Sequence, residues 1–153
     1  MAIDMFLKLS GISGDSTDPT YPGWISVLAW SWGESNSGVA GGHANFEDLS
    51  LTKYVDTASL PLMGHCAAGA LITSATLVNR DASTGVVSFK IALTNVTVSS
   101  VSDGGSGGES RLTENVSLSY QGGTIRWTYT YLNSVAQPVS KTQGWDLANG
   151  VPL

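Results

Sequence analysis

The sequence predicts a mainly β fold of about eight strands with one short α-helix. Apolar and polar residues alternate along most of the chain, which places every second side chain on one face of a strand. Only residues 56–69 carry helix signals instead. A chain with so many strands must protect its strand edges, either by closing into a barrel or by pairing with neighbouring chains. The 153 residues fit one domain, residues 1–153, which can bury a core without a metal or a disulfide.

The first third of the chain predicts three strands separated by two loops. Pro19 and Pro22 interrupt regular structure in the first loop. In the third strand, Leu49, Leu51 and Val55 are expected on one face. The predicted elements are, in order, a strand at residues 3–9, a polar loop at 11–23, a strand at 24–35, a glycine-rich loop at 38–45 and a strand that begins near 48.

The second strand contains two tryptophans that alternate with small residues. Strand geometry places Trp30 and Trp32 on one side and Ala29, Ser31 and Gly33 on the other. The ordinary interpretation is a core strand anchored by two indoles. The alternative is that the small, flat side touches another chain or a passing molecule.

A short helix is predicted at residues 59–68. Ser59 can cap its N-terminus, Pro61 fits its first turn and Gly69 is a natural C-terminal stop. Leu62 and Cys66 lie four residues apart and should share one face of the helix. We therefore expect Cys66 to be a buried core residue.

The rest of the chain predicts further alternating strands. The apolar phase changes after Asn95, which indicates a bulge or bend. Gly122 and Gly123 are typical of a hairpin turn. Trp127, Tyr129 and Tyr131 follow on one strand face, which we interpret as core, although an aromatic platform for sugars is an alternative. A last strand is expected at residues 135–145.

Charge and composition exclude several classes of partner. Only 12% of residues are charged, the net charge is -5, and the seven Lys and Arg residues are scattered singly. Nucleic acid is therefore an unexpected partner, because phosphate binding needs clustered cations. No apolar stretch is long enough for membrane insertion, and the N-terminus has no basic region of a signal peptide. So few charges suit a subunit that is covered by copies of itself.

No group of residues predicts an enzyme, a cofactor site or a metal site. His65 and Cys66 are adjacent on the predicted helix, where their side chains diverge, so they do not form a nucleophile pair. Glu47 and Asp48 point to opposite faces of a strand. The two histidines and one cysteine lack the spacing of metal ligands, and the glycine-rich residues 103–109 lack the lysine of a phosphate-binding loop.

Several segments resemble the Hcp family, the haemolysin-coregulated proteins of the bacterial type VI secretion system. The resemblance extends from residue 2 to Trp145, and the segments that carry it are residues 2–8, 27–33, 48–54, 98–102, 104–109 and 111–116. It implies a small closed β-barrel of two packed antiparallel sheets with one helix, similar to phage tail tube proteins.

The resemblance also implies a function. Six copies form a ring with a wide channel, and rings stack into a tube inside a contractile sheath with a spike protein at its tip. The tube carries small effectors and moves from the bacterial cytoplasm to the outside without a signal peptide. A carbohydrate-binding, lectin-like β-sandwich is the alternative from the residues alone.

The expected site residues follow from both arguments. We expect Ala29, Ser31 and Gly33 to line the channel, because passage of folded cargo needs a wall of small side chains that has low relief and binds the cargo weakly. The glycine-rich loops are expected to contact other subunits or rings, and their candidate residues are Gly41, Gly42, His43, Gly104, Gly105, Ser106, Gly107 and Gly108.

Overall fold

The fold is known from a computed structural model that describes residues 2–153, and it is mainly β with one short helix, as predicted. Its elements are β1 (Ile3–Leu9), β2 (Ile25–Val27), β3 (Ala29–Ser31), β4 (Glu34–Asn36), β5 (Ala44–Phe46), β6 (Leu49–Tyr54), α1 (Ser59–Ala68), β7 (Ile72–Asp81), β8 (Val87–Gly104), β9 (Thr113–Ser119), β10 (Thr124–Leu132), β11 (Pro138–Asp146) and β12 (Val151–Pro152).

Ten of the twelve strands form two antiparallel sheets that share β8. Sheet A has the order β12-β11-β10-β8-β7-β1-β2, and sheet B has the order β3-β6-β9-β8. The first half of β8 belongs to sheet A and the second half to sheet B, with a register shift between Val98 and Ser100. The change of apolar phase after Asn95 coincides instead with the left-handed backbone of Asn95 itself, with φ at 53°, so the predicted bend precedes this register shift.

The two sheets also meet at a second place, on the opposite side of the core. Only Leu28 separates β2, which pairs with β1, from β3, which pairs with β6. The Leu28 amide donates to the Thr52 carbonyl at 2.8 Å. Strand pairing thus joins the two sheets at β8, whereas at Leu28 only the chain itself and this hydrogen bond join them, so among the described residues no ladder between β2 and β6 closes the expected barrel. The strands β10, β11 and β12 extend sheet A beyond this part.

The predicted second strand, residues 24–35, is divided into β2, β3 and β4. The chain changes sheet at Leu28, and after Ser31 it leaves sheet B to form a separate hairpin of β4 and β5. Such interruptions give twelve strands instead of about eight. The strand β7 had no counterpart among the predicted elements, and Val55, expected in a core face, is 38% exposed beyond the end of β6.

The hairpin predicted at Gly122 and Gly123 is wrong. The strands β9 and β10 do not pair with each other; they lie end to end along the same edge of β8, where Ser119 pairs with Thr97 and Ile125 pairs with Leu93. Gly123 allows this arrangement because its backbone lies against β8, and a Cβ there would be 1.8 Å from the Thr94 carbonyl oxygen.

The helix spans the predicted residues but begins differently. Gly69 adopts the left-handed conformation, with φ at 62°, as expected for a helix stop. The N-cap is Ala58, not Ser59, and no side chain caps it. The hydroxyl of Ser59 instead accepts a hydrogen bond from the Asp56 amide at 2.9 Å and points into the protein. Cys66 is half-buried against the core instead of fully buried.

The core lies between the two sheets and is closed at one end by α1. Its side chains come from nearly every strand of both sheets. The helix contributes Leu62, which is almost fully buried. The largest fully buried apolar side chains are Leu7, Ile25, Leu49, Leu62, Ile72, Leu77, Ile91, Leu93, Leu118, Tyr120 and Ile125.

Candidate assembly surface

The outer face of sheet B brings two of the predicted channel residues together with small polar side chains of three other strands. Ala29 pairs with Thr52, and Ser31 pairs with Ser50. The same two rows continue onto β9 and then β8, so that one row is Ala29, Thr52, Asn115 and Ser102, and the other is Ser31, Ser50, Ser117 and Ser100. A shallow depression of about 340 Å³ follows these rows.

No side chain in these two rows is charged, and several polar groups bind each other. The Thr52 hydroxyl donates to Asn115 Oδ1 at 2.7 Å, and the hydroxyls of Ser50 and Ser117 lie 3.1 Å apart. A face of this kind offers low relief and few free hydrogen-bonding groups. It can lie close to another surface without holding it tightly.

The two tryptophans hold β3 from the inner side of the same sheet. The Trp30 indole donates to Asn79 Oδ1 at 2.7 Å. The Trp32 indole donates to the Tyr120 hydroxyl, which donates in turn to the Glu47 carbonyl at 2.8 Å. Burial raises the pKa of Tyr120 to about 12, so this hydroxyl stays a donor at neutral pH. Both indoles are half-buried against the core, as the ordinary interpretation of this strand expects.

Gly33 and the first glycine-rich loop lie away from this face. Gly33 follows the end of β3, and a Cβ there would be 3.0 Å from Glu47 Oε2. Gly41 and Gly42 lie in the turn between β4 and β5, next to the exposed His43. These loop residues border a cleft of about 430 Å³ between the β4–β5 hairpin and the strands β10 and β11.

The second glycine-rich loop emerges from sheet B itself. Gly104 is the last residue of β8 and pairs with Thr113, while Gly105, Ser106, Gly107 and Gly108 are exposed. This loop therefore lies at one end of sheet B.

A buried ionic cluster lies on the inner side of sheet B. The sequence pattern did not predict it. The Lys53 ammonium group binds the Glu114 carboxylate and lies 2.8 Å from Asp56 Oδ1. It also donates to Ser59 Oγ at 3.3 Å. Burial opposes ionisation of Glu114, but the donors Lys53 and Ser59 outweigh it and lower the pKa of this carboxyl. One signal for this cluster was present in the sequence. Lys53 stands two residues after Leu51, which places a charged side chain on the apolar face of β6.

The predicted aromatic face of β10 is only partly core. Trp127 packs on Trp32, with ring centroids 5.2 Å apart. Tyr129 and Tyr131 are 52% and 38% exposed, which contradicts the interpretation of this face as core. Their rings stack on each other at 5.6 Å. Trp127 is thus half-buried, while the two tyrosines form an exposed stacked pair.

The described residues offer no metal centre. Within residues 2–153, His, Cys, Asp and Glu side chains form no group of three or more that could hold a metal ion. Over the same residues, no helix has the length and apolarity needed to cross a bilayer.

Comparison with known proteins identifies the family. The family profile described as "Type VI secretion system effector, Hcp" matches residues 6–129. The chain belongs to the Hcp family. The Hcp1 protein of Pseudomonas aeruginosa is 42% identical to it over 129 residues, which are 78% of this chain and 80% of that protein. This Hcp chain is thus a type VI secretion protein.

Solved structures of Hcp proteins share its fold. Hcp1 from Salmonella typhimurium is 31% identical, covers 100% of both chains and superposes with a TM-score of 0.86. A type VI secretion system effector from Yersinia pestis is 29% identical over 94% of this chain and 99% of that chain, with a TM-score of 0.75. The agreement supports the Hcp fold for residues 2–153.

Proposed function

We propose that this Hcp protein is a structural subunit of the inner tube of a type VI secretion system. Copies join head to tail into rings of six, and the rings stack into a tube. The outer face of sheet B lines the channel. The observation that carries this proposal is the uncharged face formed by Ala29, Ser31 and the neighbouring rows of sheet B.

The edges of sheet B support ring formation. Within residues 2–153, β3 has no strand partner on its far side, and neither does the second half of β8. These two edge strands run in opposite directions, because three antiparallel pairings separate them. Copies placed head to tail would therefore meet as antiparallel neighbours, in a heterologous contact that ends when the ring closes.

The scarcity of charge supports self-assembly as well. With 12% charged residues, much of the surface can be covered by copies of the same chain at little desolvation cost. The loops with Gly41, Gly42 and His43 and with Gly104 to Gly108 are the proposed contacts between subunits or rings. The remaining partners of this proposal are small effectors in the channel, a spike protein at the tip and a contractile sheath. The tube leaves the bacterial cytoplasm with its cargo, and the role involves no catalysis.

Mass photometry and negative-stain microscopy of the purified protein test the assembly. Six copies of 15.9 kDa give a particle of about 95 kDa that appears annular. A single particle of 15.9 kDa at every concentration, never annular, would overturn the proposal.

A pair of matched substitutions tests which face lines the channel. Ser31→Gln enlarges a side chain on the face of sheet B, and Thr142→Gln makes a similar change on the exposed β11 of sheet A. Both variants should form rings, because neither position is buried. We expect only Ser31→Gln to reduce retention of a co-expressed type VI effector. Equal retention by both variants in intact rings would contradict the assignment of the channel face.

A further inference from the structure

Helix α1 exposes a side that carries no charge. None of its ten residues is Asp, Glu, Lys or Arg. A helix on the surface of a single globular chain normally turns charged or polar residues to the solvent. An exposed apolar side therefore indicates contact with a partner. We call this side, together with the exposed residue that follows the helix, the helix face; it consists of Leu60, Pro61, Gly64, Ala67, Ala68 and Leu71.

Sheet A carries a second apolar face that is open to solvent. Ile3, Tyr129 and Tyr131 lie on the inner side of the sheet, in phase with the core residues of β1 and β10, and are 56%, 52% and 38% exposed. Phe89, which pairs with Tyr129, lies between β1 and β10 on β8. We call these four residues the aromatic shelf. The shelf extends across three strand spacings, from β1 to β10, or about 14 Å.

The strand β3 runs across sheet A beside this shelf. The Trp30 indole donates to Asn79 on β7 and stacks on Phe89 of β8, with ring centroids 5.9 Å apart. Trp32, the next inward side chain, contacts Trp127 on β10. The strand β3 therefore crosses from the side of β1 to the side of β10. Because its paired edge adjoins β6, which lies over the buried core, its free edge faces the aromatic shelf.

Helix α1 lies at the other free edge of sheet B. The strand β7 pairs with β8 only from Ile72 onwards, and Ile72 lies opposite Val96. The residues before Ile72 form α1, which packs against β8 and contributes Leu62 to the core. The helix thus lies on the core side of the second half of β8, along the edge that has no partner strand within residues 2–153. One chain therefore has an apolar face beside each free edge of sheet B.

The proposed ring brings these two faces together, so this step rests on the proposed function. If β8 of one subunit lies beside β3 of the next, α1 of the first subunit lies over the aromatic shelf of the second. The lengths agree, since a helix of ten residues is about 15 Å long. The two edge strands are antiparallel, so the end of α1, near Val96, lies toward β10, and its start lies toward β1.

We propose that the helix face of each subunit packs on the aromatic shelf of the next subunit in the ring. Leu71 contacts the stacked pair of Tyr129 and Tyr131, and Leu60 lies near Ile3. The occupant of the shelf is a second copy of this chain, because the chain itself supplies both faces and places them at the two edges that would meet. Burial of this apolar area stabilises the contact between the strand edges and excludes water from it.

Paired cysteines test this contact in the full chain. In a Cys66→Ala background, Leu71→Cys is combined with Tyr129→Cys, or, as a control, with Ser140→Cys on the opposite face of sheet A. Both proteins are treated with a short bis-maleimide and run on denaturing gels, and mass photometry measures ring formation on the same samples. The first protein should give a ladder of linked chains that ends at the hexamer, and the control should give single chains.

The ladder reports contacts between subunits and not within one. Tyr129 pairs with Phe89 and Ile72 pairs with Val96, so Leu71 and Tyr129 of one chain lie about 23 Å apart along β8, beyond the reach of the reagent.

A charge on the helix face gives an independent measurement. Leu60 is 77% exposed, so Leu60→Glu leaves the core unchanged. We expect it to weaken ring formation about tenfold, because the contact would bury a carboxylate without a partner. Val151→Glu changes another exposed apolar residue, on β12 at the far edge of sheet A, and should stay within about twofold of the natural chain.

Intact rings of the paired-cysteine protein that give no ladder would overturn the inference, and so would a ladder of equal yield in the control. If the cysteine pair itself prevents ring formation, the comparison of Leu60→Glu with Val151→Glu decides, and equal assembly of these two variants would overturn the inference. A natural chain that forms no rings would overturn the proposed function and this contact with it. Rings of the natural chain without the contact overturn the contact alone, so the two failures are distinguishable.

Discussion

The Lys53 ammonium group binds the Glu114 carboxylate inside the protein, and both side chains are 0% exposed. The pair joins β6 to β9 from the inner side, at a register where Lys53 and Glu114 are direct cross-strand partners. Asp56 and Ser59 connect the same cluster to the start of α1. A complete buried ion pair contributes little net stability. Removal of one partner is strongly destabilising, because the other charge then stays buried without a counter-charge.

Removal of Lys53 should therefore destabilise the fold strongly. Lys53→Met leaves Glu114 buried without its cation, and we expect a loss of about 3–5 kcal/mol in the free energy of unfolding. Urea denaturation measures this loss. The double variant Lys53→Met with Glu114→Leu removes both charges and should recover most of the stability. If the double variant is less stable than the single one, the loss in Lys53→Met does not come from leaving Glu114 unpaired. The attraction between Lys53 and Glu114 would then itself stabilise the fold.

Asp103 should be a source of pH dependence in the same cluster. The hydrogen bond to Glu114, burial and the like charge of Glu114 raise the pKa of Asp103. The stability that its proton provides is complete below the unfolded pKa of 3.8 and is lost as the pH rises through the folded value. Glu114 Oε2 has no hydrogen-bond partner among the described residues, so a proton on Asp103 would supply its donor.

Asp103→Asn supplies a neutral donor at every pH. We expect it to raise the melting temperature near neutral pH, by an amount that corresponds to about 1 kcal/mol for one restored hydrogen bond. The difference from the natural chain should shrink below about pH 3.5, because Asp103 then carries its own proton. Thermal melts over this range measure both effects, and an equal difference at every pH would argue against a shared proton.

Gly123 should tolerate no side chain, in contrast to its neighbour. A Cβ at Gly123 would be 1.8 Å from the Thr94 carbonyl oxygen, whereas a Cβ at Gly122 would meet nothing within 4 Å. We expect Gly123→Ala to cost about 3 kcal/mol or more, because β10 must move away from β8. Gly122→Ala is the matched control and should stay within about 0.5 kcal/mol of the natural chain. Chemical denaturation compares the two; similar stabilities would show that β9 and β10 do not follow β8 closely.

Asp18 should stabilise the fold only above strongly acidic pH. The hydrogen bonds from Arg80 lower the pKa of Asp18 to about 2, from 3.8. Its stabilising effect is therefore present above about pH 4 and is lost as the pH falls through about 2. Asp18→Asn should lower the melting temperature at neutral pH and flatten its acid dependence over this window. The same acid dependence in both proteins would show that other carboxylates dominate.

The second glycine-rich loop should matter for assembly and little for folding. Residues 105–108 are exposed and contribute nothing to the core cluster. We expect deletion of residues 104–108 to increase the share of free subunits in mass photometry while circular dichroism keeps its β spectrum. Five glycine and serine residues in another order, at the same position, form a control for loop length. Normal rings and normal stacking after the deletion would remove this loop from the proposed contacts.

The local pattern of the sequence was sufficient for the elements that depend on local signals. Alternation predicts β1, and Gly69 predicts the end of α1, because each needs only neighbouring residues. The irregular backbone at Asn95, where φ is 53°, was predicted in the same way, from a change of phase within one strand. The small face of β3 follows from the alternation of Trp30 with Ala29 and Ser31.

Three of the errors concern relations between distant segments. Gly122 and Gly123 look like a hairpin turn locally, and only β8, which pairs with both flanking strands, shows that the chain continues straight on. Lys53 breaks the apolar pattern of β6, but its partner Glu114 lies 61 residues later. The position of Gly33 depends on the hairpin of β4 and β5, where Glu47 fills the space beside it. Long-range pairing of this kind overrides local propensity.

The 18 residues of β8 have a mechanical consequence. One continuous strand serves both sheets, so a force applied to either sheet reaches the other through covalent bonds and two ladders of hydrogen bonds. Sliding the sheets past each other would require β8 to separate either from β7 and β10 in sheet A or from β9 in sheet B. A subunit that is pushed lengthwise at speed would therefore translate as a stiff unit and resist shear between its two walls.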